Sequence, residues 1–262
     1  MHLSILAALF LLTAFAYAAV GFGGGSTYNA LLVLSGVDYR EIPAIALTCN
    51  ILVVSGGVYH FRATGQLQWR ELLPFVVLSV PMAWLGGRIP VPEQTFVGLL
   101  GLTLLASGVL MLAQDTRKSG SRQPPRLPRL TMTSWQMGLP LGAGIGLLSG
   151  IVGIGGGIFL APLLYLFGAV PARRIAALAS GFILLNSLAG LAGQLIKQAA
   201  ELPTLAWSRA WPLYLAVVVG GQAGSRLGAR MLSEQTIRRL TGVLVLYVAL
   251  RLLLRWRELA AA

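Results

Sequence analysis

Long apolar runs separated by short polar segments make up most of the chain. In sequence order they cover residues 3–20, 26–36, 43–61, 72–87, 94–113, 135–152, 158–168, 175–196, 212–229 and 237–254. Most are close to the ~20 residues that a helix needs to cross ~30 Å of hydrocarbon. The runs 26–36 and 158–168 have only eleven residues, and at ~1.5 Å per residue such a helix extends ~16 Å, about half a bilayer. The pattern predicts an all-α polytopic membrane protein with two half-length helices.

A run of glycines precedes each half-length segment. The first is GFGGG at 21–25 and the second is GIGGG at 153–157. Because glycine is a weak helix former, each motif predicts a glycine-broken or re-entrant helix. Such a break leaves backbone N–H groups without partners inside the membrane, at the positive end of the half-helix dipole. Glycine also lets successive N–H groups gather around a ligand, and the arrangement favours an anion.

The order of these features occurs twice. The glycine motifs are 132 residues apart, and EQT at 93–95 recurs at 234–236, each time opening an apolar run. We interpret the chain as two homologous repeats, each with about four membrane-spanning helices and one broken half-helix, a common plan for transporters. The predicted domains are a first repeat at 1–113, a linker at 114–134 and a second repeat at 135–262. Whether the repeats are parallel or inverted is left open by the charge pattern.

Composition supports a membrane protein with few buried charges. The chain is 56% hydrophobic and 11% charged, with a mean hydropathy of +0.77. All eight acidic residues fall outside the apolar runs, so intramembrane carboxylates of the kind used for proton relays are missing. The net charge of +12 fits an excess of Lys and Arg on cytoplasmic loops, and it could also attract anions. The basic, proline-containing linker is therefore predicted to be cytoplasmic.

Candidate binding residues follow from the two breaks. Ser26 and Thr27 can cap the first half-helix or donate to an oxyanion, whereas the second copy has Ile158 and Phe159 there. Asn50 and Asn186 can either link helices or contact substrate. The predicted substrate-binding residues are Gly23, Gly24, Gly25, Ser26, Thr27, Asn50, Gly155, Gly156, Gly157, Asn186 and Ser187.

Other polar and small residues in the apolar runs allow plainer interpretations. Arg88 and Arg226 end matching spans; they either snorkel to headgroups or draw anions into a vestibule. Two stripes at spacing four are predicted to serve close helix packing, and they are formed by Gly142, Gly146, Gly150, Gly220, Gly224 and Gly228.

The sequence resembles the TauE/SafE family of sulfite and organosulfonate exporters. The resemblance is carried by the doubled Gly-Xxx-Gly-Gly-Gly, by ALASGFILLNSLAGLAG at 177–193, and by two sets of apolar runs around a basic linker. It implies about eight spans arising by duplication and transport of small sulfur-containing anions. The family motifs fall on Gly21–Gly25, Gly153–Gly157 and Asn186-Ser187.

We therefore expect a secondary transporter, exporting small sulfur-containing anions that bind near the membrane midplane between the breaks. The alternative is a membrane scaffold or assembly factor in which the glycines serve packing only. We expect no enzyme activity, since neither a serine nor an aspartyl intramembrane catalytic set is evident, and no cofactor or metal. The expected partners are a small anion and the lipid bilayer, without nucleic acid; a homo-oligomer is left open. The expected location is the bacterial cytoplasmic membrane.

Overall fold

A computed structural model describes residues 3–117, 133–167, 172–201, 207–228 and 234–261. Within these ranges the chain is helical and contains no strand, which confirms the predicted all-α class. The helices are α1 (Leu3–Val20), α2 (Gly25–Leu34), α3 (Ile42–Ala63), α4 (Trp69–Arg88), α5 (Glu93–Arg117), α6 (Thr133–Val152), α7 (Gly157–Phe167), α8 (Ala172–Glu201), α9 (Trp207–Ala223) and α10 (Glu234–Ala261), with a π-helical turn at Gly224–Gly228 after α9. The predicted linker at 114–134 lies mainly outside the described residues.

Four described helices are long and apolar enough to cross a membrane. The stretches that qualify are Ile42–Ala63, Glu93–Leu110, Trp135–Val152 and Arg174–Lys197, in α3, α5, α6 and α8, and α1 adds a shorter apolar helix. Large apolar side chains are exposed along α4, α5, α9 and α10, for example Leu73, Leu102, Leu215 and Leu250. Exposed side chains of this kind suit contact with acyl chains. The larger predicted number of spans remains a prediction.

Two of the packed helix pairs are antiparallel. In the α3/α8 pair, Gly57 lies beside Ser180, and Leu47 lies beside Gly190 further along. In the α5/α10 pair, Gly98 contacts Trp256 and Gly108 contacts Leu246. In both cases ascending positions on one helix meet descending positions on the other.

Other pairs are parallel and depend on the predicted glycine stripes. Gly142 contacts Phe75 and Gly150 contacts Ala83, so α6 is parallel to α4. Gly220 contacts Leu11 and Gly224 contacts Phe15, so α9 is parallel to α1. A Cβ at these glycines would stand 2.0 to 2.3 Å from a facing carbonyl oxygen, so only glycine allows the approach. The packing role predicted for these four residues is confirmed.

These contacts give each helix a direction across the protein. α8 is parallel to α4, since Gly181 contacts Leu72 and Gly193 contacts Trp84. With the short loops between α3, α4 and α5, it follows that α1, α3, α5 and α9 run one way and α4, α6, α8 and α10 the other. We call the side where α1 begins the amino-terminal face and the side where α5 ends and α6 begins the linker face.

Gly146 offers a test of the α4/α6 contact, because a neighbouring glycine supplies a matched control. A Cβ at Gly146 would stand 2.2 Å from the Ser79 carbonyl oxygen, whereas one at Gly144 would meet nothing within 4 Å. We expect Gly146→Ala to lower the free energy of unfolding by ~1–3 kcal/mol through overpacking. Gly144→Ala should be neutral or stabilising by up to ~1 kcal/mol through helix propensity. Melting temperatures of the detergent-purified variants measure this, and equal stability of both would contradict the packing.

Candidate functional site

The first glycine motif turns the chain back on itself. α1 ends at Val20, and Gly21 and Gly24 adopt φ of +81° and +86°, which L side chains rarely adopt. Gly24 packs on Thr13 and Tyr17 of α1, and the Tyr28 ring of α2 stacks on Phe10 with centroids 4.8 Å apart. α2 therefore returns alongside α1 as a re-entrant half-helix of 10 residues.

The second motif has a similar local geometry. α6 ends at Val152, three glycines (Gly153, Gly155 and Gly156) have φ of +77° to +81°, and the 11-residue α7 follows. Gly156 packs on Ile145, which precedes it by the same interval that separates Thr13 from Gly24. Both predicted helix breaks are thus confirmed, and both half-helices start inside the protein.

The backbone N–H groups at these starts are buried and largely unpaired. The Gly24 carbonyl accepts from the N–H groups of Thr27 and Tyr28 at 3.0 Å, and the Gly156 carbonyl accepts from those of Phe159 and Leu160 at 3.1 and 3.2 Å. Among the described residues, no acceptor is recorded for the N–H groups of Gly24, Gly25, Ser26, Gly156, Gly157 and Ile158. Each half-helix therefore presents three consecutive donors together with its positive dipole end.

Of the two uses considered for Ser26 and Thr27, capping of α2 is not found. The N-cap is Gly24, without a side-chain hydrogen bond, because its left-handed backbone is what turns the chain into α2. The Thr27 hydroxyl instead lies 3.0 Å from the Tyr17 hydroxyl. Both Ser26 and Thr27 are buried at the start of the half-helix.

Asn50 of α3 lies between the two breaks. Its Nδ2 donates to the Ile154 carbonyl of the second break at 3.1 Å, while its Oδ1 would stand 2.6 Å from a Cβ at Gly23 of the first. A Cβ at Gly25 would stand 2.4 Å from the Ile154 oxygen. The backbones of the two breaks are therefore in direct contact, with no side chain between them. We call this contact between residues 23–25 and 153–157 around Asn50 the crossing.

Two polar side-chain atoms at the crossing have no partner. The Asn50 Oδ1 and the Ser187 Oγ are fully buried, and neither has a hydrogen bond within the part of the chain that the structure describes. The Ser187 Oγ and the Asn50 Nδ2 would stand 2.9 and 2.8 Å from a Cβ at Gly155, so both side chains converge on that glycine. An unpaired buried polar group costs ~1–3 kcal/mol, which a polar ligand at this position could offset.

Three side chains tie the carbonyl ends of the breaks to distant helices. Besides Asn50, Asn29 of α2 donates to the Val152 carbonyl at 3.0 Å, and Ser180 of α8 donates to the Gly21 carbonyl. Sequence reasoning did not single out Asn29 as a site residue, although it is the one amide in the run 26–36. Three carbonyls of the breaks are thus paired with side chains, whereas the N–H groups at the half-helix starts are not.

Asn186 lies outside the crossing. Its Oδ1 accepts from the Ser79 hydroxyl at 2.6 Å and its Nδ2 donates to the Phe182 carbonyl at 2.9 Å, which joins α8 to α4. Its neighbour Ser187 faces the breaks instead. Of the two uses considered for Asn186, the structure shows a helix–helix link.

Arg88 and Arg226 are not brought together. Arg88 ends α4 at the amino-terminal face, with its guanidinium 4.5 Å from the centroid of the Trp84 ring. Arg226 is exposed in the π-helical turn after α9, at the linker face. A shared vestibule at one face is therefore excluded for this pair.

Comparison with known proteins identifies the family. The family model described as "Sulfite exporter TauE/SafE" matches residues 6–252. The chain belongs to the TauE/SafE family. Together with the long apolar helices, this membership makes it an integral membrane protein.

The relatives of this TauE/SafE protein are named as transporters. A "probable membrane transporter protein" of Sinorhizobium fredii is 37% identical over 249 residues, covering 95% of this chain and 97% of the relative. A similarly named protein of Xylella fastidiosa is 28% identical and covers 95% of both chains, and one of Methanocaldococcus jannaschii is 25% identical over 65% and 64%. No solved structure gives a significant match.

The different bonding of Asn186 and Asn50 can be measured. In a double-mutant cycle, Ser79→Ala and Asn186→Ala should show a coupling of ~0.6–1.7 kcal/mol in the free energy of unfolding, because the two side chains share a buried bond. Ser79→Ala and Asn50→Ala should be additive, since Asn50 bonds to Ile154 instead. Additive effects in the first cycle would show that the Ser79–Asn186 bond does not form.

Proposed function

We propose that this protein is a secondary transporter that exports small sulfur-containing anions such as sulfite or sulfonates. The observation that carries the proposal is the crossing, where two buried half-helix starts with unpaired N–H groups meet beside Asn50 and Ser187. The anion would be held by N–H groups of Gly24, Gly25, Gly156 and Gly157. The family description and the names of the relatives support membrane transport.

The electrostatics of the crossing favour an anion over a cation. Each half-helix start contributes a partial positive charge, worth ~0.3–2 kcal/mol to an anion depending on burial. Three of the carbonyls that would attract a cation, those of Val152, Ile154 and Gly21, already accept from Asn29, Asn50 and Ser180. The buried polar residues of the described chain include no Asp or Glu, so an anion would meet no opposing charge.

The depth of the crossing suits alternating access. Asn50 is the ninth residue of the 22-residue span Ile42–Ala63, and Ser187 lies near the middle of Arg174–Lys197. A site near the bilayer midplane can be exposed to either side by small movements of the helices around it. No helix has to carry the anion across the whole membrane.

The helix directions support two inverted repeats. The order of α1–α5 matches that of α6–α10, each with a broken second element, while corresponding helices run in opposite directions. The contacts between the two halves are also equivalent. The first helix of each half packs on the fourth helix of the other half: α6 packs on α4, and α1 packs on α9. Inverted repeats of this kind place a pseudo-two-fold axis through the crossing.

The distribution of basic residues supports a cytoplasmic linker face. The sequence 118–132, which joins the two helix ends there, carries four Arg and Lys residues and no acidic residue. Other basic residues at that face are Arg62, Arg70, Arg174 and Arg226. By the positive-inside rule, the linker face would be cytoplasmic and both ends of the chain external, in a bacterial cytoplasmic membrane.

Transport itself can be tested at Gly25. A Cβ there would occupy the space between the breaks, 2.5 Å from the Asn50 Nδ2, while one at Gly57 would make only ordinary contacts at 3.9 and 4.0 Å. In vesicles loaded with labelled sulfite or sulfoacetate, we expect Gly25→Ala to reduce efflux more than tenfold and Gly57→Ala to leave it within twofold. Ser187→Ala should raise the KM.

The outcomes of this efflux experiment separate the candidate functions. Normal efflux in Gly25→Ala would contradict a site at the crossing. Absence of efflux of either anion in the unaltered, correctly inserted protein would favour the scaffold function, in which the glycines serve packing.

The proposed orientation predicts opposite accessibility of two engineered thiols. In a Cys49→Ala background, an impermeant maleimide added to intact cells should label Ala261→Cys at the carboxyl end of α10 and should not label Ser121→Cys in the linker. Permeabilised cells provide the control, since both thiols should then react. Labelling of Ser121→Cys in intact cells would contradict the orientation.

A further inference from the structure

The amide oxygen of Asn50 is a hydrogen-bond acceptor at the crossing that has no donor. The two amide atoms can be told apart, since Nδ2 donates to the Ile154 carbonyl at 3.1 Å. The other atom is therefore the oxygen Oδ1, and it lies 2.6 Å from the position of a Cβ at Gly23. Asn50 is fully buried, and its Oδ1 has no hydrogen bond to any described residue. A ligand with a hydrogen to donate would remove the cost of this unpaired oxygen.

The other unpaired groups at the crossing are donors. The N–H groups at the two half-helix starts have no acceptor among the described residues, and the buried Ser187 hydroxyl, also without a partner, can donate or accept. A fully ionised oxoanion has only acceptor atoms, so it would pair with these donors and leave the Asn50 Oδ1 facing another acceptor. An oxoanion that keeps one hydroxyl group can pair with both kinds of group.

The charge at the crossing matches a single negative charge. The amino-terminal ends of α2 and α7 meet there, and each end is equivalent to roughly half a positive elementary charge. The two ends together therefore offset about one negative charge. The buried polar side chains of the described chain include no Arg or Lys, so a second negative charge would be buried without compensation, which is costly.

We propose that the crossing selects monoanionic oxoanions that keep one hydroxyl group, such as hydrogensulfite, and that the Asn50 Oδ1 accepts a hydrogen bond from this hydroxyl. The inference rests on the proposed anion transport. The N–H groups of the half-helices and the Ser187 hydroxyl bind the ionised oxygens of the same anion. The anion then carries its own proton across the membrane, and no carboxylate of the protein has to move it.

The titratable groups around Asn50 do not compete for this proton. Among the described side chains they are Tyr17 of α1, Tyr28 of α2, Cys49 of α3 and Tyr214 of α9. Phenols and thiols ordinarily keep their protons at neutral pH. The charged residues of α4 and α8 lie near the ends of those helices, and His60 is exposed in the last turn of α3, ten residues from Asn50. A pH dependence of binding would therefore come from the anion.

Two probe anions that differ by one hydrogen test the selection. The methylphosphonate monoanion and methanesulfonate have the same shape and charge, and only the first keeps a hydroxyl. In detergent-purified protein at mildly acidic pH, calorimetric titration should give methylphosphonate a Kd ~5- to 100-fold lower, because methanesulfonate leaves Oδ1 unpaired. Asn50→Leu, which removes the acceptor at similar size, should bring the two Kd values within ~twofold of each other.

Asn186→Leu is the matched control for Asn50→Leu. It also removes a buried amide, but the Oδ1 of Asn186 already accepts from the Ser79 hydroxyl and lies outside the crossing. We expect this variant to keep the preference for methylphosphonate. A preference that persists in a folded Asn50→Leu variant would overturn the role of Asn50.

The pH dependence of binding is a second readout that needs no variant. Above the second ionisation of methylphosphonate, the monoanion fraction falls about tenfold per pH unit, so the apparent Kd should rise by the same factor. The Kd of methanesulfonate should stay constant, and His60→Gln should change neither profile. Equal Kd values for the two anions, or a methylphosphonate Kd that does not change with pH, would overturn the proposal even if Asn50→Leu fails to fold.

Efflux of labelled sulfite from vesicles separates this proposal from the proposed function. Efflux by the unaltered protein, together with equal Kd values for the two probes, would overturn the selection of protonated anions and leave anion transport intact. Selective binding of methylphosphonate without sulfite efflux would overturn transport and support the selection. Absence of binding of either probe would overturn the selection.

Discussion

The structure depends on the need to pair backbone polar groups that are buried in hydrocarbon. A helix broken inside a membrane exposes carbonyls at its end and N–H groups at the start of the next segment, and lipid satisfies neither. In this protein the carbonyls of Gly21, Val152 and Ile154 accept from Ser180, Asn29 and Asn50. The N–H groups at Gly24 to Ser26 and Gly156 to Ile158 have no such partner among the described residues, and we propose that they bind the transported anion.

Glycine makes this arrangement possible in two distinct ways. At Gly24 and Gly156 the left-handed backbone is needed to turn the chain back, whereas at Gly25 it is the missing side chain that lets one break touch the other. In the same way, the absence of a side chain at Gly142 and Gly150 lets α6 pack directly against the backbone of α4. Some glycines therefore allow close helix packing, and others shape the candidate site.

The local features were predictable from the sequence, and the relations between distant segments were not. Consecutive glycines before an eleven-residue apolar run are sufficient to predict a broken helix, because propensity and length both act locally. Whether Asn186 or Ser187 faces the breaks depends on the rotation of α8 relative to α3 and α4. This rotation cannot be inferred from a single sequence. Asn29 was missed because its acceptor, Val152, is 123 residues away. The helix directions likewise follow only from contacts such as those between Gly57 and Ser180.

We propose that N–H groups of both breaks bind one anion together. A structure of the protein with selenite, a pyramidal oxoanion like sulfite whose selenium scatters anomalously, would show whether they do. We expect an anomalous peak within hydrogen-bonding distance of the N–H groups of Gly24 or Gly25 and of Gly156 or Gly157, close to the Ser187 hydroxyl. Anions bound only at headgroup depth, with no peak between the two breaks, would contradict this binding.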